Sequence, residues 1–512
     1  MKTPPHLFDF LFTVYTIYLI NTIITRNSSL LQIDQCSNMK QRGESIMSKP
    51  EMRNTALPDQ GNRRSVVIVV ILTAFATSFS GSSLNLSVPS IAADFGVSAS
   101  LVGWLVTVYA LAVAAFSVPF GRIADITSRR RILMIGIAIF GICCGISAAA
   151  FSFEMLIFLR FIQGISASMI FSTNTAIVIS AFPPSQRGKA IGYSLASTYV
   201  GLSSGPVIGG IMNLHLGWQS IFILTCILSL AALLLAALRL PADSPSSKGR
   251  PLDVTGNLLF IVFIICFMVG LSQITSGSVL PVLMTACGIA AGILFVIHEA
   301  RQEDPAVDVR LFKSNIGFGL SNLSAMLNYA MTMALSYLVS LYLQTVQGLS
   351  SQTAGFIMVC QPLIMAILAP QMGKLSDRIS PFKLSSAGMA VSGLGISFFI
   401  FVSDHTPIPV IMAALFVTGL GFSMFSSPNT NAIMSCVQKR DYGVASSLVS
   451  TMRTIGQTVG MVIVTLVVTA RLGSVPLAQA GPDQILHVIH ICFIIFVCIS
   501  IVGVFISLQR KK

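Results

Sequence analysis

The sequence predicts an all-α polytopic membrane protein. Three observations carry that reading: the scarcity of charge, the length of the apolar runs, and the alternation of basic residues between loops. Only 10% of the 512 residues are charged, 54% are hydrophobic, and mean hydropathy is +0.83. A soluble domain carries about 25% charged residues, so this much apolar surface needs lipid as its solvent. A helix needs about 20 apolar residues to cross a hydrocarbon core roughly 30 Å thick. Fourteen such runs fall in order near 66–88, 100–120, 132–152, 156–181, 189–211, 218–238, 256–275, 279–298, 319–343, 352–371, 384–403, 409–433, 444–470 and 485–508. They lack the residue-by-residue alternation of a transmembrane barrel strand. Their glycine, proline and serine are tolerable because neighbouring helices satisfy freed backbone groups.

The net charge of +13 does not point to nucleic acid, because the basic residues are confined to alternate loops. Lys and Arg gather at 122–131, 187–189, 239–250, 301–313, 374–383, 439–440 and 510–512; the intervening loops hold almost none, Arg471 excepted. This is the positive-inside pattern. It places both ends of the fourteen-span body, and so the C-terminus, in the cytoplasm of a multi-pass protein of the cell membrane. Ten cysteines lie scattered, mostly within spans, without paired metal-type spacing. Cys143 and Cys144 read as small buried residues. No disulfide framework, zinc site or cofactor is expected.

Residues 1–64 form an N-terminal extension. Its segment 6–25, "HLFDFLFTVYTIYLINTIIT", is apolar but interrupted by Asp9 and Asn21, and it makes a poor signal peptide. Two readings stand: a start assigned too early, with Met39, Met47 or Met52 as the beginning, or a fifteenth helix that puts the N-terminus outside. We favour the first.

An internal repeat organises the remainder. "GISASMIFSTNTAIV" begins at Gly164 and "GLGFSMFSSPNTNAI" at Gly419, an offset of 255. That offset pairs Asn174 with Asn429, Thr175 with Thr430, Gly188 with Gly443, Gly201 with Gly456 and Gly205 with Gly460. Two charged hinges, "GRIADITSRRR" from Gly121 and "GKLSDRISPFK" from Gly373, repeat at nearly the same distance. The partition is six spans at 65–240, a linker with two extra spans at 241–313, and six spans at 314–512. Parallel six-helix repeats are a transporter signature, with the binding site near the midplane between them.

The first hinge resembles the loop signature of the major facilitator superfamily between its second and third spans. "LRFIQG" (Leu159–Gly164) resembles the arginine-bearing signature of the fourth span, and "GLSSGPVIGG" (Gly201–Gly210) the antiporter signature of the fifth. "LYLQTVQGLS" (Leu341–Ser350) and "SSPNTNAIM" (Ser426–Met434) are similar to segments of its fourteen-span drug:proton antiporters. The resemblance covers the chain from about Ser65 onward. It implies the major facilitator fold, no enzymatic activity, and proton-coupled efflux of hydrophobic or amphipathic molecules by a monomer, multidrug resistance being the type. The chain departs from the family at two points. Ser80 stands where a first-span aspartate is common, although Asn85 keeps its place, and Ser128 replaces a hinge glycine.

Physical chemistry gives each motif a role and an alternative. Gly121, Asp125, Arg129 and Arg130, with Gly373, Asp377 and Arg378, form two conformational latches in which a carboxylate meets a helix N-terminus and a guanidinium. Alternatively, the hinges are solvated loops whose arginines only fix topology. Gly201, Gly205, Pro206, Gly209 and Gly210 make a smooth face where another helix backbone approaches closely; sealing against leakage and ordinary packing both remain open.

No carboxylate lies deep within the fourteen spans, and the charges inside them are Arg160 and Arg453. A mid-depth arginine costs about 2.5–3.5 kcal/mol on insertion scales and so faces a cavity or a partner. Gln163 and Gln457 are candidate partners; Asn174, Asn328, Gln361, Asn429, Tyr109 and Tyr329 supply further polarity. Such a cavity suits a neutral or anionic amphipath better than a lipophilic cation, which would want a buried carboxylate. The alternatives are a transporter of one specific neutral or anionic metabolite and, remotely, an intramembrane lipid-modifying enzyme.

Overall fold

The computed structural model describes residues 60–84, 87–97, 104–241, 251–274, 277–472 and 481–510. Segment 6–25, the three alternative start methionines and Asn85 lie outside the described residues.

The long helices follow the expected order. They are α1 (Gln60–Ser83), α2 (Trp104–Ile126), α3 (Arg129–Ala148), α4 (Phe153–Ala181), α5 (Arg187–Leu216) and α6 (Gln219–Arg239). The extra pair is α7 (Val254–Ser272) and α8 (Val279–Arg301). The second set is α9 (Ile316–Leu341), α10 (Cys360–Ser376), α11 (Pro381–Ser397), α12 (Ile408–Ser435), α13 (Tyr442–Leu472) and α14 (Pro482–Leu508). A π-helical turn, Tyr342–Val346, extends α9, and a short helix, Ser351–Met358, leads into α10. Local chemistry sets several starts. Ser128 caps α3 by accepting from Arg131 N at 3.1 Å, which gives the residue that replaces the hinge glycine a structural task. Ser152 caps α4 through Met155 N at 3.2 Å, and Asp253 caps α7 through Gly256 N at 2.8 Å.

Among the described residues, thirteen helical spans are long and apolar enough to cross a membrane, and α5 is not among them. Its 30 residues reach about 45 Å at 1.5 Å per residue, so length is not the reason. Six glycines, several serines and a basic first turn dilute its hydropathy.

The packing obeys the repeat. In the first half α1 packs on α5, α2 on α4, α3 on α4 and α3 on α6; in the second α9 packs on α13, α10 on α12, α11 on α12 and α11 on α14. Between the halves, α5 meets α10 and α13 meets α2. Each of these contacts maps onto another when the halves are exchanged, as a pseudo-twofold requires. The pair α7–α8 packs chiefly on itself, and α7 also lies against α2 and α13. Leu230, Leu234 and Leu238 on α6 and Leu283 and Leu294 on α8 are exposed; in lipid such surfaces cost nothing.

The glycine face of the fifth span packs on α1. A Cβ at Gly201 would lie 2.8 Å from the Phe75 carbonyl, and one at Gly209 would lie 2.7 Å from Ser83 Cβ. Ser82 Oγ donates to the Gly201 carbonyl at 3.2 Å across the same seam. Pro206 sits inside α5, and Gly210 is half-buried beside the contact. The repeat mates Gly456 and Gly460 meet the Met326 and Ala330 carbonyls of α9. Gly201→Leu and Gly456→Leu should therefore each cost about 1–3 kcal/mol by overpacking. Thermal denaturation in detergent checks this, with Gly355→Leu, whose added Cβ meets nothing within 4 Å, as the neutral control.

Candidate functional site

At the arginine-rich end the halves touch at two crossings. Gly121 of α2 faces Gly443 of α13, whose Cβ would lie 2.5 Å from the Gly121 carbonyl, and Gly188 of α5 faces Gly373 of α10 in the same way. Each crossing is closed by a carboxylate. Asp125, in the last turn of α2, accepts from Gly443 N at 2.9 and 3.1 Å and from Val444 N at 3.2 Å. Asp377, just past α10, accepts from Gly188 N at 2.7 Å and Lys189 N at 3.0 Å. The first amides of a helix have no partner within it and carry its positive dipole end. Each hinge aspartate thus caps the fifth helix of the opposite half.

The two caps are unequal. Arg129 Nε and Nη2 donate to Asp125 at 2.9 and 2.6 Å, while its Nη1 and Nη2 also reach Ser180 Oγ at 2.9 Å and the Lys439 carbonyl at 2.6 Å. Arg130 instead donates to the Ala237 carbonyl of α6 at 3.0 Å, and Arg378 is exposed. The sequence placed both in the latches. A helix turns by about 100° per residue, so Arg130 points away from the seam that Arg129 faces. Burial pushes the Asp377 carboxyl above its ordinary value, against the pull of the Lys189 and Gly188 amides and the Asn431 side chain.

Of the two arginines within the spans, Arg160 is fully buried inside the first half. Its Nε donates to the Leu105 carbonyl at 3.2 Å, and its Nη1 donates to Ser80 Oγ at 3.3 Å and Gln163 Oε1 at 2.9 Å. The guanidinium stands 4.4 Å from the Tyr109 ring centroid, and Nη2 has no hydrogen-bond partner. Gln163 Nε2 passes the network to Ser147 Oγ at 2.9 Å, and Tyr109 Oη donates to the Thr77 carbonyl at 3.2 Å. Four expected residues, Ser80, Tyr109, Arg160 and Gln163, therefore form one cluster, with no carboxylate in it.

Arg453 occupies a different place. It borders a central cavity of about 50 Å³ between the halves, with its guanidinium 5.0 Å from the Phe171 ring centroid and 6.0 Å from that of Tyr329. Ligand sites run to about 300–1,000 Å³, so this conformation is closed around its centre. The lining follows the internal repeat. Ala74 and Tyr329, Thr175 and Thr430, Ile191 and Ser446, Ser194 and Val449, Leu195 and Ser450, and Thr198 and Arg453 all line the cavity, each pair 255 residues apart. Phe171, Asn174 and Val178 complete the wall. The pseudo-dyad runs through this space.

Asn174 lines the cavity while exchanging hydrogen bonds with Thr73 Oγ1. Asn328 and Gln361 are buried with unpartnered amide nitrogens outside the lining, and Gln457 lies half-buried one turn beyond Arg453. Asn429, the repeat mate of Asn174, is held away from the centre. Its Oδ1 accepts from Arg510 Nη1 at 2.5 Å and its Nδ2 donates to the Ser321 carbonyl at 3.1 Å. Burial pushes the Arg510 guanidinium down to about 9. The sequence reading missed Arg510, a tail arginine that folds back into the bundle. It also missed Phe171 and the link from Tyr199 to Ser426, whose hydroxyls lie 2.6 Å apart across the halves. The 255-residue offset held a signal for the cavity, because it pairs positions on helices facing the dyad.

The folded chain is thus a polytopic helical protein of two pseudo-equivalent halves around a closed central cavity, the architecture of a solute carrier. The profile of the Major Facilitator Superfamily matches residues 70–297 and 322–511, and the chain belongs to that family. It is a multi-pass membrane transporter and not an enzyme. It is 32% identical over 398 residues to the riboflavin transporter RibZ of Clostridioides difficile, covering 77% of this chain and 86% of that one. It is 29% identical over 412 residues to the multidrug resistance protein Stp of Mycobacterium tuberculosis, covering 78% and 76%. The crystal structure of the human organic anion transporter MFSD10 shares the fold, with a TM-score of 0.63 at 16% identity, covering 87% of this chain and 99% of that one.

Supplying Arg160 with the carboxylate it lacks should stabilise the first half. Ser80→Asp is expected to raise the thermal midpoint in detergent by the worth of a charge-assisted hydrogen bond, about 1.5–3 kcal/mol. Adding Arg160→Met in that background should abolish the gain.

Proposed function

We propose that the chain is a secondary active exporter of hydrophobic or amphipathic small molecules, driven by the proton gradient and working by alternating access. The exchanged aspartate caps carry this reading. Both join the halves at one end of the bundle, where releasing them lets 65–240 and 314–512 rock apart around the cavity while 241–313 follows. Charge on these latches, not merely loop basicity, explains why each half offers an aspartate to the other's helix start. The alternation of basic loops supports placing that end, and the C-terminus, in the cytoplasm of the cell membrane. A monomer contains both halves and so the whole cycle. The relative named as a multidrug resistance protein, Stp, supports export of amphipaths.

A second reading is transport of one neutral or anionic metabolite. The relative named as a riboflavin transporter favours it, as does a central cavity lined by an arginine and no carboxylate among the described residues.

Proteoliposomes with an imposed pH gradient test both. Ethidium, a lipophilic cation, reports the broad multidrug reading and riboflavin the metabolite reading; movement of neither, in folded protein, removes both. Asp125→Asn weakens a cap worth about 1.5–3 kcal/mol, so it should slow whichever flux is seen roughly tenfold or more. Asp377→Asn should act in the same direction. Normal rates in both variants would return the hinges to a topological role.

A further inference from the structure

The repeat that builds the central cavity is broken across the dyad: Ser194 faces the space where its mate is Val449, and three other pairs change the opposite way. The first half contributes Ala74, Ile191 and Leu195 where the second contributes Tyr329, Ser446 and Ser450, and Thr198 stands where the second half has Arg453. Phe171 and Val178 add to the apolar side. Two polar groups of the first half are already engaged: Asn174 pairs with Thr73, and Thr198 Oγ1 donates to the Ser194 carbonyl at 3.2 Å. On α13, Ser446 Oγ donates to the Phe171 carbonyl at 3.0 Å, but two further donors are left over. Ser450 is 4% exposed and its hydroxyl has no hydrogen-bond partner, and three residues on, Arg453 has neither a hydrogen bond nor an ion pair among the described residues. Spacing of i and i+3 puts both on one helix face. The rings of Phe171 and Tyr329 stand against the Arg453 guanidinium, Phe171 nearer.

From this asymmetry we infer that the site selects planar aromatic molecules with an acceptor-rich or anionic edge, and that Arg453 is the specificity-determining residue. The inference rests on the transporter reading and names its substrate class. The guanidinium is a flat fork of donors that suits a carboxylate or an imide edge and stacks on aromatic faces. Ser450 adds one hydroxyl beside it. The ring body lies against Phe171, Ile191 and Leu195. In the closed conformation Phe171 occupies the face of Arg453, so binding exchanges the Phe171 ring for that of the substrate as the cavity widens. A planar cation presents the same ring but meets an unneutralised guanidinium, with no carboxylate in the lining to offset it. Arg160 takes no part, since its donors point into its own half.

Equilibrium fluorescence polarisation on the purified full chain tests this with two planar dyes of opposite charge, fluorescein and ethidium. Fluorescein is expected to bind at least roughly tenfold more tightly than ethidium, the scale of one charge-assisted contact. Arg453→Gln should abolish that preference, weakening fluorescein by a similar factor and leaving ethidium equal or tighter. Arg453→Lys keeps the charge without the planar fork and should fall between, which guards against misfolding of the glutamine variant; thermal midpoints are recorded for both. Equal binding of the two dyes by the wild type, binding of neither, or equal loss of both in Arg453→Gln would overturn the inference. Because the readout is binding, it separates from the transport reading. Arg453-dependent fluorescein binding without gradient-driven flux would sink the coupling alone, and ethidium flux without that binding would sink the substrate class alone.

Discussion

The opening amides of a helix lack partners within the helix and carry its positive dipole end. In this chain the fifth helix of each half starts at a glycine-lined crossing, where the carboxylate that accepts from its amides belongs to the other half. Asp125 reaches Gly443 and Val444, and Asp377 reaches Gly188 and Lys189. The exchange works only because glycines stand on both sides of each crossing, at 121 and 443 and at 188 and 373. A side chain at any of them would separate the backbones and strand the amides. The register of α2 on α13, and of α5 on α10, follows from these contacts, and with it the width of the cavity between the halves.

Two arginines within the spans have been given opposite environments. Arg160 is surrounded by acceptors and a ring: the Leu105 carbonyl, Ser80, Gln163 and Tyr109. It holds α1, α2 and α4 together and does not line the central cavity. Arg453 has ring faces for neighbours and borders the central space. Burying an arginine with hydrogen bonds but no countercharge is costly, and Ser80 in place of an aspartate leaves that cost in the first half. Arg453 keeps its hydrogen-bonding capacity free at the position where the halves meet.

Duplication gives both walls of the cavity the same scaffold, and divergence gives them different chemistry. Thr175 and Thr430 are unchanged mates, whereas Thr198 and Arg453, or Leu195 and Ser450, are not. Asn174 and Asn429 make the point most directly. The same residue on equivalent helices lines the cavity in one half and is drawn to Arg510 in the other. One arginine beyond the last span is enough to change the role of a repeated side chain.

The helices, their order and the repeat were legible because each depends on short-range properties: hydropathy over about 20 residues, basic residues in alternate loops, and identical steps such as Asn174-Thr175 and Asn429-Thr430. The hinge aspartates were legible for the same reason, as residue types fixed in a hinge. Their partners were not. Asp377 is 189 residues from Gly188 and Asp125 is 318 from Gly443, and nothing local shows that each would reach across the dyad. Nor could spacing separate Arg129, which turns into the seam, from Arg130, which turns to α6. The sequence by itself determined the order of the long helices from about residue 65 onward and which residues are out of place in them. Only tertiary packing decided which of those residues face one another, because in lipid a polar side chain is defined by the distant helix that completes its hydrogen bonds.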